Sequence, residues 1–135
     1  MAGYSGTPLA RKLGFKPGNR VRTSNAPDNY LELVSPRPEG VQISSVLRKD
    51  IDIWHLFTRS ESALKAALPG MKSAIRQDGM IWVSWPKKAS KVPTDVTEDV
   101  VRRHALPIGL VDVKVCAVDD VWSGLKLVIR KELRQ

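Results

Sequence analysis

Apolar and polar positions alternate along this chain in short blocks, and the period of the blocks keeps changing. Leu9, Ala10 and Leu13 fit one side of a short helix that Pro8 opens, Thr7 can cap and Gly14 ends. Pro17-Gly18 reads as a turn, and Arg20 to Ser24 as a weak strand with Val21 and Thr23 on one face. The segment from Asn25 to Asp28 breaks that strand, and Asp28 can cap a short helix carrying Tyr30, Leu31, Leu33 and Val34. Pro36 and Pro38 end the helix, and Gly40 opens a strand from Val41 to Val46.

The central pattern is stronger. Ile51 to Phe57 is apolar on both faces apart from Asp52 and His55, as expected of a strand covered on both sides. Ser60 then caps a helix with Leu64, Ala67, Leu68, Met71 and Ile75 at helical spacing. Pro69 inside that spacing predicts a kink or two abutting helices, and Asp78-Gly79 the end of the helix. Met80 to Trp85 is a second doubly covered strand. A loop from Pro86 to Pro93 leads to a helix carrying Val96, Val100, Val101 and Ala105. Asp95 and Glu98 stand there at capping-box spacing.

Two alternating strands, Val111 to Val118 and Gly124 to Lys131, close the chain as a hairpin. With Val118 facing Gly124, the residues Val113, Val115 and Ala117 meet Ile129, Leu127 and Leu125 on one face. Asp112 then opposes Arg130 on the other. Strands alternating with helices and ending in a hairpin predict a three-layer α/β sandwich. Its sheet would be Rossmann-like and mostly parallel, with an antiparallel C-terminal hairpin, in a single domain over 1–135.

Composition narrows the function classes. The 135 residues include 42% hydrophobic and 27% charged positions, which suits one folded domain and not a disordered tail. Cys116 is the single cysteine, so an internal disulfide, a zinc ribbon and a CxxC redox pair are excluded. No apolar run reaches the ~18–20 residues of a membrane span, and the first residues lack a signal-peptide layout. The expectation is a cytoplasmic protein without a membrane partner. Twenty-two Lys+Arg against 14 Asp+Glu give a formal charge of +8, with an excess in every third of the chain. Such a field attracts polyanions, and otherwise serves solubility.

Two resemblances follow from these residues. The run from Ile51 to Lys131 resembles the C-terminal half of a class I methyltransferase-like Rossmann fold, in which a strand, a helix, a strand opened by Asp-Gly, a helix and a hairpin follow in this order. More specifically, the chain resembles the bacterial family called domain of unknown function 3052. The matching stretches are 4–10, Lys12-Leu13-Gly14, 85–90, Pro93-Thr94-Asp95, Thr97-Glu98 and 122–128. That resemblance implies a bacterial cytosolic protein of this fold and carries no activity, substrate or catalytic residue.

A methyltransferase or dinucleotide enzyme needs a glycine-rich turn after its first strand, where the backbone approaches the cofactor. Here that place holds Ser24-Asn25-Ala26-Pro27-Asp28, and the strand ending at Val46 has no acidic residue for ribose hydroxyls. No cofactor is therefore expected, and no Walker motif supports an NTPase.

The best candidate surface is the loop with Lys87, Lys88, Ser90 and Lys91, followed by Thr94 and the helix near Asp95. Ligands of open α/β sheets gather beyond strand C-termini, and a helix start favours anions. Trp85 and Trp122 fall where strands meet loops and could stack a base, or plug the ends of the sandwich. Trp54 and Trp82 are core candidates. Asp119 and Asp120 read as turn formers, His55 as a core imidazole, His104 as a helix residue without a carboxylate partner, and Cys116 as structural. The leading expectation is a non-catalytic module binding an anionic ligand, nucleotide or nucleic acid. A degenerate methyltransferase-like enzyme and a protein–protein adaptor are the alternatives. No catalytic or metal-binding residue is expected.

Overall fold

In the computed structural model, which describes residues 7–135, six strands form one sheet in the order β2-β1-β3-β4-β6-β5. They are β1 (Arg20–Ser24), β2 (Gln42–Ser44), β3 (Ile51–Phe57), β4 (Ile75–Pro86), β5 (Leu110–Ala117) and β6 (Trp122–Ile129). β2, β1, β3 and β4 pair in parallel, and β6 runs antiparallel to both β4 and β5. The hairpin thus folds back so that its second strand docks on the sheet and its first becomes the edge. Helices cover both faces. α3 (Glu61–Ala74) and α4 (Glu98–Ala105) pack on Leu56, Ile81, Val83, Trp85, Leu125 and Leu127. The short α1 (Leu9–Lys12) and α2 (Tyr30–Leu33) pack on Val21, Ile53, Phe57 and Trp82. The expected three-layer sandwich is present, and the doubly apolar strands owe their composition to these two cores.

Several local expectations change. α3 is one continuous helix with Pro69 inside it. Pro69 and Lys65, the residue four positions back whose carbonyl loses its donor, are both exposed, so the missing bond falls on the solvent side of the helix. α3 ends at Ala74, not at Asp78-Gly79, and β4 runs through that dipeptide. The ladder with β3 slips there, and Gly79 is needed because a Cβ would lie 2.9 Å from the Asp52 carbonyl oxygen. Strand β2 is only three residues long, because the Ser44 hydroxyl accepts from the Val46 amide and turns the chain away. Neither α1 nor α2 has a side-chain cap.

Capping in the second half is also redistributed. Thr97, not Asp95, caps α4 by accepting from the Val100 amide. The Asp95 carboxylate instead accepts from the Glu61 amide at 2.7 Å and caps α3, together with the Ser60 hydroxyl on the Ala63 amide.

The hairpin register differs from expectation by two residues. Asp119 Oδ1 accepts from the amides of Val121 and Trp122, and the Val118 amide bonds the Trp122 carbonyl, so the turn is tighter. Cys116, not Val118, then faces Gly124. A further slip falls between Asp112 and Lys114, and on this edge strand Val113 and Val115 are exposed at 51% and 44% instead of buried. Asp112 pairs with Arg102 of α4 at 2.8 Å and not with Arg130, and Lys114 lies opposite Lys126. Among the described residues no helix is long and apolar enough to cross a membrane.

Candidate anion-binding site

Strands β1, β3 and β4 end together at one rim of the sheet, where the 87–91 loop leaves β4. The loop forms a single 3-10 turn at Lys88–Ser90 and passes through Lys91 in a left-handed conformation (φ 61°). Its hydroxyls are committed to bracing it. Ser90 Oγ donates to the Lys87 carbonyl at 2.6 Å and accepts from the Val92 amide. Thr94 Oγ1 donates to the Arg59 carbonyl at 2.9 Å and accepts from the Val96 amide. The Lys87 amide donates to the Val121 carbonyl, which ties the loop to the hairpin turn. The start of α3 already faces the Asp95 carboxylate. Positive charge at this rim therefore comes from the ammoniums of Lys87, Lys88 and Lys91 and the guanidinium of Arg59. Lys88, Lys91 and Arg59 are exposed and Lys87 is half-buried. None of the ion pairs among the described residues involves these four.

The two rim tryptophans do not come together. Trp85 is buried in the α3/α4 core, whereas Trp122 belongs to the opposite face and meets the Phe57 ring edge-on at 5.1 Å. Trp85 pairs with Ser123 and Trp122 with Pro86, so neighbouring positions on the two strands point to opposite sides of the sheet. Trp85 thus offers no face for stacking. Trp82 is fully buried and donates to the Leu13 carbonyl, and Trp54 is half-buried.

Between the ends of β1 and β3 lies the switch point where an open α/β sheet usually receives its ligand. Here the turn after β1 and the face of the sheet beside it are braced by the protein's own side chains. Asn25 takes the left-handed turn that a glycine would normally make (φ 58°), and its Nδ2 donates to the Phe57 carbonyl. Trp54 Nε1 donates to Ser24 Oγ at 2.8 Å, and the Arg22 guanidinium lies 4.2 Å over the Trp54 ring. Pro27 removes one amide from the turn, and the neighbouring β2 ends at Ser44 without a carboxylate. This donor set does not fit S-adenosylmethionine or a dinucleotide.

Other candidates resolve into structural roles. His55 is wholly buried, with Nδ1 2.9 Å from the Tyr30 hydroxyl and Nε2 2.7 Å from Ser84 Oγ. Burial pushes its pKa down to about 3 and that of Tyr30 up, so both are neutral. His104, expected to lack a partner, meets Glu61 of α3 at 2.7 Å, as does Arg103 at 3.1 Å. Nothing in the sequence links these residues; only the packing of α3 on α4 does. Arg102 is held by Asp112 and by Glu98 and Asp99. Burial raises the Cys116 thiol, more than Lys114 and Lys12 lower it. The described residues contain no group of three metal-ligating side chains. A cleft of about 630 Å³, not foreseen in the sequence, opens between α1, α2 and the hairpin turn. Its lining includes the charged side chains of Lys12, Glu32, Asp119 and Asp120.

Comparison with known proteins yields fold neighbours. No family model matches the chain, and no curated protein matches it. Among solved structures it is similar to a ribosomal protein L11 methylase from Lactobacillus delbrueckii subsp. bulgaricus. The identity is 8%, with 90% of this chain and 74% of that one covered and a TM-score of 0.54. A protein of the NADB-Rossmann superfamily from Streptococcus agalactiae is similar at 10% identity, covering 96% and 71%, with a TM-score of 0.54. A LepI variant in complex with SAH and a substrate analogue is similar at 10% identity and a TM-score of 0.54. This chain, 90% covered, spans 39% of LepI's length. At such identities the likeness shows the fold alone, and that fold is a methyltransferase-like Rossmann sheet with an antiparallel C-terminal hairpin.

Proposed function

We propose that this chain is a non-catalytic module of methyltransferase-like fold that binds an anionic ligand, a nucleotide or nucleic acid. Its kinship with domain of unknown function 3052, and with it a bacterial cytosolic setting, is part of the same proposal and rests on the sequence stretches quoted above. The observation that carries the binding reading is the braced loop at the end of β4. It presents Lys87, Lys88 and Lys91 beside Arg59 without a carboxylate partner among the described residues. Lysines fixed at a strand's C-terminal rim give a positive field where ligands of this architecture gather. Ser90 and Thr94 act here as struts that hold the lysines, and Trp122 supports the hairpin turn that the loop leans on.

Titration with a nucleotide panel and with DNA at two salt concentrations tests the reading. Binding should weaken as salt rises, and Lys87→Ala with Lys88→Ala should weaken it about tenfold or more at low salt. Absence of binding, or binding that the double variant leaves untouched, would remove the rim loop from consideration. The strand order alone favours a second reading, an enzyme of the methyltransferase class, and the glycine-free turn after β1 and the β2 end without a carboxylate argue against it.

A further inference from the structure

A second basic surface lies away from the rim, on the face of the sheet that α1 and α2 roof only in part. These helices have four residues each, and the β5–β6 end of that face carries lysines. The register sets Lys114 opposite Lys126 on adjacent antiparallel strands. Like charges so opposed destabilise a ladder. Lys126 is half-buried, and its pKa is lowered by burial first, then by Lys114 and by Lys16 from the turn after α1. Lys114 and Lys12 also act on the neighbouring Cys116 thiol. Four elements thus converge on one patch of lysines. No ion pair among the described residues involves Lys16, Lys114 or Lys126. By contrast, the arginines of α4 are matched to Glu98, Asp99, Asp112 and Glu61.

The shape of the patch selects its ligand. β5 is an edge strand, and within the row Lys16 and Lys114 are exposed while Lys12 and Lys126 are half-buried. Ammoniums on flexible stems are point charges that take a phosphate from many directions. Among the described residues the exposed large hydrophobics are aliphatic, and Trp122, the ring that β6 carries on this face, is half-buried against Phe57, so an unpaired base finds little to stack on. We propose that Lys16, Lys114 and Lys126, flanked by Lys12, contact the phosphate backbone of duplex nucleic acid without reading its sequence. The proposal rests on the anion-binding reading above but uses different residues.

The test is duplex DNA binding by fluorescence anisotropy across a salt series. Three chains are compared: wild type, Lys114→Gln with Lys126→Gln, and Lys87→Ala with Lys88→Ala. If about four phosphates are contacted, log K should fall with log salt with a slope of about −3 to −4, and loss of two lysines should flatten it by about 2. The Gln double variant should bind several-fold more weakly at low salt to every sequence tried. Its melting temperature should be equal to or above that of wild type, because a repulsive pair is gone. Lys114→Arg with Lys126→Arg should keep the slope. An unchanged slope in the Gln variant, or no wild-type binding to duplex at low salt, overturns the proposal. So does loss of binding in the Lys87/Lys88 variant alone, an outcome that upholds the rim loop. Binding to phosphatidylserine vesicles with none to duplex also overturns it.

Discussion

Single residues show which polar groups hold the core and which are free for chemistry. His55 combines a nucleophile neighbour, Ser84, with a hydroxyl partner, Tyr30, and so has the look of a relay. All three are buried, and both ring nitrogens are bonded, so the arrangement fills the need for partners inside an apolar core and does not expose a reacting atom. A buried neutral imidazole has a consequence for pH. In the unfolded chain His55 takes a proton near its usual 6.5, whereas in the folded chain it does so only near 3. The unfolded state therefore binds more protons in that window, and stability is lost as pH falls from about 6.5 towards 3. Urea unfolding of wild type and His55→Gln at pH 7 and pH 4.5 checks this. The variant is less stable at pH 7 but loses less between the two values. Equal losses would show that His55 does not carry the effect.

At the scale of elements, the strands were legible where both faces are apolar, as in β3 and in the second half of β4. The Ser60 cap of α3 was equally plain, because cap and helix are adjacent in sequence. What could not be read depended on distant partners. Asp95 satisfies the local spacing of a cap for α4, yet it bonds the Glu61 amide, 34 positions away, and leaves α4 to Thr97. The hairpin register failed for a similar reason. Asp119 tightens the turn through two amides, and the slip beyond Lys114 follows Asp112 to its ion pair with Arg102. Of the candidate site, the lysines of the rim loop were legible as a local cluster. The Lys114–Lys126 opposition required the true register, and the burial of Trp85 required the α3/α4 core. Asp95→Ala should therefore destabilise the protein by about 1 kcal/mol through the start of α3. Amide exchange at Glu61 and its helical neighbours should rise while that of α4 stays near wild type. Exchange increased in α4 instead would restore Asp95 to the role its spacing suggests.

For the molecule as a whole, fold and site point in different directions. The strand order and the fold neighbours are those of a methyltransferase-like Rossmann sheet. At the switch point between β1 and β3 the turn carries no glycine, Asn25 ties it to the end of β3, and Ser24, Trp54 and Arg22 are engaged with one another beside it. Fold alone does not bring an activity with it. The connection from β2 to β3 completes this bracing. Residues 45–50 contain no helix, the Leu47 carbonyl accepts from Arg22 at 2.7 Å, and Leu47 packs on the α3/α4 core. That contact fixes the guanidinium over Trp54, and Trp54 in turn holds Ser24 at the end of β1. A ligand that binds only the folded state must stabilise it, by about 2.7 kcal/mol at a hundredfold excess over its Kd. For a chain of this length that corresponds to a rise on the order of 10 °C in Tm. S-adenosylmethionine at millimolar concentration should leave the melting temperature of this protein where it is. A rise of several degrees would mean that the turn after β1 admits it, and would favour the enzyme reading over the proposed binding module.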